Sequence, residues 1–400
     1  MAAFPQSYQF QDGPSQLAFP PEEYTARLTG LRQIMYDHDL AVVILTTAQN
    51  IAYYTGLICR PFGRAYALVV TQHDCTTIAP AGEAGRPSRQ AHGDVQSYPD
   101  WERNSFHRAL RSVAGIGRVV GYEADQMPVA QAQAMRHHLH PTGLIDISAD
   151  TARQRAVLSD AERSLIRAGA AVADHAVAAM RAAIKPGVRE IDVTMAGAAT
   201  MASKFAETFP HAADERGALH CQSGPHTDAV CHPATPRALE KGDLLTLVAH
   251  PLIHGYGAPL ARTCSLGQLA HQTHWELQSA ARDHALSLIA PGQSCAEIAR
   301  QMAAFYAERD ALQYCTMAFG QALGAMTHVQ GGATVLDLRP DNETLLMPGM
   351  GLSLGPILSV PADQPGGGGY REVDVVFVTD DGAETVAETP VGPADNVISV

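Results

Sequence analysis

Cys231 and His232 are adjacent in the segment SGPHTDAVCHPATPRALEKGD (223–243), with His226 and Asp228 shortly before them. A cysteine thiolate is a good nucleophile once its pKa is lowered, and a Cys/His pair can act covalently. His250, His254 and His328 are further imidazoles in the same part of the chain. The plainer reading of Cys231 is a small buried thiol filling space, since free cysteine is among the most buried residue types. The plainer reading of each histidine is a surface or core residue. Four glycines, Gly366 to Gly369, invite comparison with a phosphate cradle. No helix start and no Lys-Ser/Thr pair follows them, so they read as a loop.

These residues need a frame, and 400 residues with 46% hydrophobic content can supply two domains with buried cores. Lys and Arg number 28 against 41 Asp and Glu, a net charge of −13. That argues against a nucleic-acid or membrane-surface binder, which needs a basic face. The seven cysteines form no CxxC pair and are odd in number, which reads as free thiols in a reducing, cytoplasmic setting. The first twenty residues lack the basic and apolar regions of a signal peptide, and no apolar run approaches a membrane span.

Residues 1–20 read as an irregular arm and 21–38 as a polar helix. Short β-branched runs at 41–47, 64–71 and 118–123 read as strands, with helices near 104–115 and 128–139 between them. This predicts an α/β domain over 1–155. Ser159 and Glu162 make a capping box that opens a long Ala-rich helix. Pro186-Gly187 ends it, and another helix begins near Glu190. A helix over 272–289, Pro291-Gly292 and a helix from Ser294-Cys295 repeat the pattern, which suggests two similar α+β halves or two unrelated helix hairpins. Strands are expected at 349–358 and 373–382.

The segments 223–243, 250–267, 347–358 and 366–384, together with NIAYYTGLICRPFGRAYALVVT (50–71) and RHHLHPTGLIDISAD (136–150), resemble the creatinase and aminopeptidase P-like family in order and spacing. The resemblance implies an α/β N-terminal domain over 1–155, an α+β pita-bread C-terminal domain over 156–400, and a homodimer. It also implies site positions. Family peptidases hold two divalent cations through two Asp, one His and two Glu. The corresponding positions here are Val248, Pro259, Gln321 and Gly355, with Glu372 as the surviving carboxylate. One carboxylate cannot hold two hard cations, so no metal and no other cofactor is expected.

Creatinase-type enzymes use a His acid/base and carboxylates around a guanidinium, and those positions are also altered. The base falls on Cys231, the carboxylates on Ala261 and Gly355, two further His on Gln321 and Val373, and a wall Tyr on Gly257. Phe62, Arg64 and Arg339 are kept, the arginines matching those that hold the substrate carboxylate. The substitutions mostly shrink side chains. They predict a larger, less charged pocket in which His226, Gln321 and Val373 join the substrate-binding set around Cys231 and His232. Unfilled space of this kind costs ~24 cal/mol per Å³, so either a bulkier ligand or local collapse must occupy it. Glu372 is expected to have a framework role, paired with Arg371 or a neighbour. Three functions follow. One is a repurposed, metal-free enzyme acting on a larger, partly apolar small molecule by cyclisation, isomerisation, elimination or hydrolysis. Another is an inactive binding or scaffolding subunit. The third, with least in its favour, is an amidinohydrolase with displaced catalytic residues such as His232 or His254.

Overall fold

The structure, a computed structural model, describes residues 13–60, 63–210, 217–326 and 335–400. They form two compact units. One runs to Arg155 and includes residues 325–326; the other comprises Ala156–Gly324 and residues 335–400. Phe62, His328 and the first twelve residues of the expected arm lie outside the described residues.

In the first unit the β-branched runs become β1 (Val42–Leu45), β2 (Ala67–Val70), β3 (Cys75–Pro80), β4 (Asp94–Tyr98), β5 (Val119–Tyr122) and β6 (Gly143–Asp146). The sheet order is β4-β3-β2-β1-β5-β6. β2 runs antiparallel to both of its neighbours, and the other pairs are parallel. Helices α1 (Pro21–Asp37), α2 (Ala48–Thr55), α3 (Arg86–Gln90), α4 (Ser105–Ala114), α5 (Val129–Leu139) and α6 (Ser148–Ala156) complete it. Val42, Ile44, Ala67 and Val69 pack with Phe106 and Leu110 of α4 and with Met135 and Leu139 of α5. β1 is shorter than the 41–47 run because Thr47 leaves the strand to cap α2, its hydroxyl accepting from the Asn50 N–H at 3.2 Å.

The second unit contains helices α7 (Asp160–Ala183), α8 (Glu190–Thr208), α9 (Thr273–Leu288), α10 (Cys295–Ala307) and α11 (Pro393–Asn396). Its strands are β7 (Ala218–Ser223), β8 (Leu244–His250), β9 (Leu252–Ile253), β10 (Tyr256–Gly257), β11 (Leu260–Leu266), β12 (Gly320–Ala322), β13 (Gly351–Leu354), β14 (Ile357–Val360), β15 (Gly368–Thr379), β16 (Gly382–Thr385) and β17 (Val397–Ile398). The main sheet is ordered β12-β13-β15-β11-β8-β7. Ala173, Val177 and Met180 of α7 pack on Leu245, Leu247 and Leu260. Trp275, Ala281, Ile298 and Met302 of α9 and α10 pack with Leu352, Leu358 and Val376. The fold is therefore an α/β domain followed by a pita-bread α+β domain.

The two helix–Pro-Gly–helix segments are the same device built twice. Gly187 N–H donates to the Leu239 carbonyl at 2.8 Å, and Gly292 N–H donates to that of Leu346 at 2.8 Å. Three residues on, Glu190 N–H donates to Arg237 and Cys295 N–H to Thr344. Both glycines have φ near +80° (82° and 84°), which a side chain rarely allows. Two strand expectations change. The 349–358 run divides at Gly355-Pro356, where proline cannot extend the ladder. The glycine run is not all loop, because β15 starts at Gly368. Gly369 lies so close to the Thr227 carbonyl that no side chain fits, and its N–H donates to the Thr227 hydroxyl at 3.0 Å.

Candidate functional site

Strand register in the second unit brings the site together. His220 of β7, Val248 of β8, Ala261 of β11 and Val373 of β15 are cross-strand neighbours in one row. Alternation along the strands places Gln222, Thr246, Thr263 and Arg371 in the adjacent row on the same face. A cavity of about 180 Å³ opens over this face. Val248, Pro259, Ala261, Gln321, Gly355 and Val373 all line it, together with Ser353, Arg371 and apolar neighbours. These six are positions onto which the family resemblance maps ionisable side chains.

Among the described residues, the lining contains no carboxylate, imidazole or thiol. Glu372 cannot supply one. It alternates with Val373 on β15, so it points to the opposite face and is fully buried. The expectation that it keeps a metal-ligand position is therefore corrected: Val373 is the residue of the pair that faces the cavity. Glu372 makes its framework contacts with neighbours rather than with Arg371. It accepts from Trp275 Nε1 at 3.0 Å and lies 3.8 Å from Arg262, which itself pairs with Asp374 at 2.6 Å. Burial pushes the Glu372 carboxyl up to about 8, against the pull of Arg262. The donor set does not fit a dinuclear metal centre, and no three His, Cys, Asp or Glu side chains group to hold an ion among the described residues.

At two of the predicted pocket glycines the space for a side chain is already occupied. A Cβ on Gly355 would stand 2.8 Å from the Cα of Val373. Gly257 does not line the cavity; a Cβ there would collide with the His250 ring. Collapse and a surviving cavity thus coexist.

Arg371 is the cation of the cavity. It is 2% exposed and, among the described residues, makes no ion pair within 4.0 Å, although the charge of Asp228 acts on it. Its Nη1 donates to Gln222 Oε1 at 2.7 Å and to the Val230 carbonyl at 2.6 Å, and its Nη2 to the carbonyls of Thr227 and Ala229, while Nε has no acceptor. Burial lowers its pKa to about 10, which leaves it charged at neutral pH.

The predicted catalytic pair does not form as expected. Cys231 is exposed, which rules out the space-filling reading, and its Sγ lies 3.4 Å from Nε2 of His220. His232 instead stacks on His226 with ring centroids 4.2 Å apart and planes 5° apart, and its Nδ1 lies 2.8 Å from the Pro233 carbonyl. His226 is held by Glu190 at 2.9 Å. Neither His232 nor His254 lines the cavity. Of the retained arginines, Arg64 belongs to the first unit, where it pairs with Asp100, and Arg339 of the second unit is 57% exposed beside Asp341 at 3.7 Å and is not among the residues lining the cavity. Sequence reasoning missed His220 and Arg371. The signal for both was strand alternation, His220 with Gln222 and Arg371 with Val373.

Residues 164–380 match the model of metallopeptidase family M24, and residues 27–157 match the creatinase/prolidase N-terminal domain. Creatinase from Bacillus sp. (strain B-0618) is 36% identical over 386 residues, 95% of this chain and 94% of that one. The chain belongs to family M24. Among solved structures, the dipeptidase PepE from Mycobacterium ulcerans superimposes with a TM-score of 0.80 at 22% identity, covering 96% of this chain and 100% of that one. The prolidase from Pyrococcus horikoshii OT3 gives 0.78 at 19% identity, over 92% and 99%. These two speak for the fold alone. Within M24, this member has apolar or neutral residues at the cavity positions where the resemblance places metal ligands.

Proposed function

We propose that the protein is a repurposed, metal-independent M24 enzyme whose cavity takes a small molecule with an apolar body and one anionic or carbonyl end. The observation that carries this reading is the convergence of Val248, Pro259, Ala261, Gln321, Gly355 and Val373 on one cavity beside Arg371. The described lining residues include no carboxylate to neutralise a guanidinium, so creatine is disfavoured. The buried cation favours the opposite charge. The volume, about 180 Å³, is on the scale of the ~150 Å³ cavity known to hold benzene, which suits a single ring with a short substituent.

Calorimetric titration of the protein with benzoate, 3-phenylpropionate and creatine tests this. Binding of either aryl carboxylate with no response to creatine supports the reading; binding of creatine alone sinks it. A second reading, ligand binding without turnover, draws on the lack of acid/base groups in the lining. It predicts aryl carboxylate binding with an inert Cys231. The free state of all seven cysteines supports a cytoplasmic setting, and the family resemblance supports a homodimer, which sedimentation would test.

A further inference from the structure

Three groups of the second unit lie on or next to elements that line the cavity and have complementary chemistry. Sγ of Cys231 stands 3.4 Å from His220 Nε2. His220 occupies the same cross-strand row as the cavity residues Val248, Ala261 and Val373. Val230, next to Cys231 in the chain, lines the cavity and gives its carbonyl to Arg371. Arg371 is a buried cation with no carboxylate in ion-pair contact among the described residues, and its Nε–H has no acceptor. Burial, and then the charge of Arg371, lower the pKa of His220, so its ring is neutral at neutral pH and free to take a proton.

We propose that Cys231 is a base-assisted nucleophile for acyl transfer, with His220 taking the thiol proton and Arg371 stabilising the oxyanion. The identity of the substrate rests on the cavity reading above; the nucleophile does not. In the step, Sγ bonds to the carbonyl carbon of an ester or thioester while its proton passes to His220 Nε2. The carbonyl π pair moves to oxygen, facing Arg371. As the carbonyl re-forms, the bond to the leaving group breaks and His220 returns the proton to that group. Water then hydrolyses the thioester, releasing the acid and restoring the thiol. Nucleophile, base and oxyanion stabiliser are the three parts such chemistry requires. His232 is not the base, since its ring lies flat on His226.

The test has two arms on the full chain. In the first, alkylation of Cys231 by iodoacetamide at pH 7 is followed by peptide mass spectrometry. The C–S bond forms, iodide leaves, and the proton passes to His220. His220→Gln is expected to slow Cys231 at least about tenfold, within the range of general-base effects. A rate within twofold of wild type, or a greater loss in His232→Gln, overturns the assignment. If His220→Gln fails to fold, the wild-type pH profile decides. Base assistance predicts a loss of rate as His220 becomes protonated at acid pH, separate from the ascending limb of an ordinary thiol. A single ascending limb overturns it.

In the second arm, p-nitrophenyl benzoate is expected to release a stoichiometric burst of p-nitrophenolate and leave a benzoyl group on Cys231. The burst should be lost in Cys231→Ser and slowed by free benzoate. Absence of both burst and adduct overturns acyl transfer. A burst that benzoate does not slow supports the nucleophile while overturning the cavity as its substrate site.

Discussion

Nδ1 of His226 lies 2.9 Å from Oε1 of Glu190, a carboxylate with no exposed surface at the start of α8. The same carboxylate accepts from the N–H and hydroxyl of both Ser223 and Thr235. It thereby fastens the helix to the loop that carries Cys231. Burial opposes its charge, but the donors from Ser223, Thr235 and His226 outweigh burial and hold the carboxyl below its usual range.

Glu190→Ala should therefore be severe. It strands several buried donors at once, and a loss of ~3 kcal/mol is expected from urea unfolding midpoints. The acid limb carries a sign as well. A carboxyl with a depressed folded pKa adds stability above its unfolded value of ~4.3, and this stability is lost as pH falls through the folded value. Glu190→Gln should flatten the acid limb of the stability curve; an unchanged limb would show that the carboxylate is not ionised in the fold.

Gly355 is a steric requirement. Its missing Cβ would press on Val373, whose Cα would be 2.8 Å away and whose Cγ2 2.5 Å away. Gly355→Ala should cost ~1–3 kcal/mol as overpacking. Adding Val373→Ala should recover only part of this, because the backbone contact remains. Full recovery, read from thermal melts of the double variant, would place the strain in the Val373 side chain alone.

Ala261 lies at the centre of the row that floors the cavity. Ala261→Glu would place a carboxylate among Val248, Val373 and Pro259. Binding of benzoate should weaken by at least about tenfold, which is ~1.4 kcal/mol. Calorimetry checks this, and unchanged affinity would locate the ligand elsewhere.

The first unit has a separate pH response. The His107 ring stacks on His138 at 4.7 Å, and both ring nitrogens of His107 are buried without a partner. Burial, then His138, lower the pKa of His107; burial, then His137, Arg111 and His140, lower that of His138. The unfolded chain thus binds more protons near pH 6.5, so stability rises with pH and is lost as pH falls through the unfolded value of ~6.5. Hydrogen exchange of α4 and α5 should quicken, after correction for intrinsic rates, between pH 7.5 and 5.5, and His107→Phe should reduce the change.

Much of the frame was legible in the sequence. The Ser159 capping box, the Pro-Gly breaks and the β-branched runs act within a few residues, and each reappears in the fold. The positions lining the cavity were legible only through resemblance. What could not be read was which side chains share a face across strands distant in the chain. Glu372 and Val373 are adjacent, yet only pairing with β11 decides that Val373 faces the cavity. Alternation with Gln222 marks His220 as a residue of the same strand face, but its relation to Cys231 is made by a turn of the chain and could not be read. The neutral cage of carbonyls around Arg371 leaves no trace in composition.

The duplicated Pro-Gly anchors bear on how such a protein can change. Each helix pair is moored to its own strand connection by main-chain hydrogen bonds that depend on few side-chain identities. They lie apart from the residues that line the cavity. Architecture and chemistry are thus maintained by different parts of the polypeptide. A lineage can exchange the reactive groups while its scaffold persists, and here the scaffold frames an oily recess.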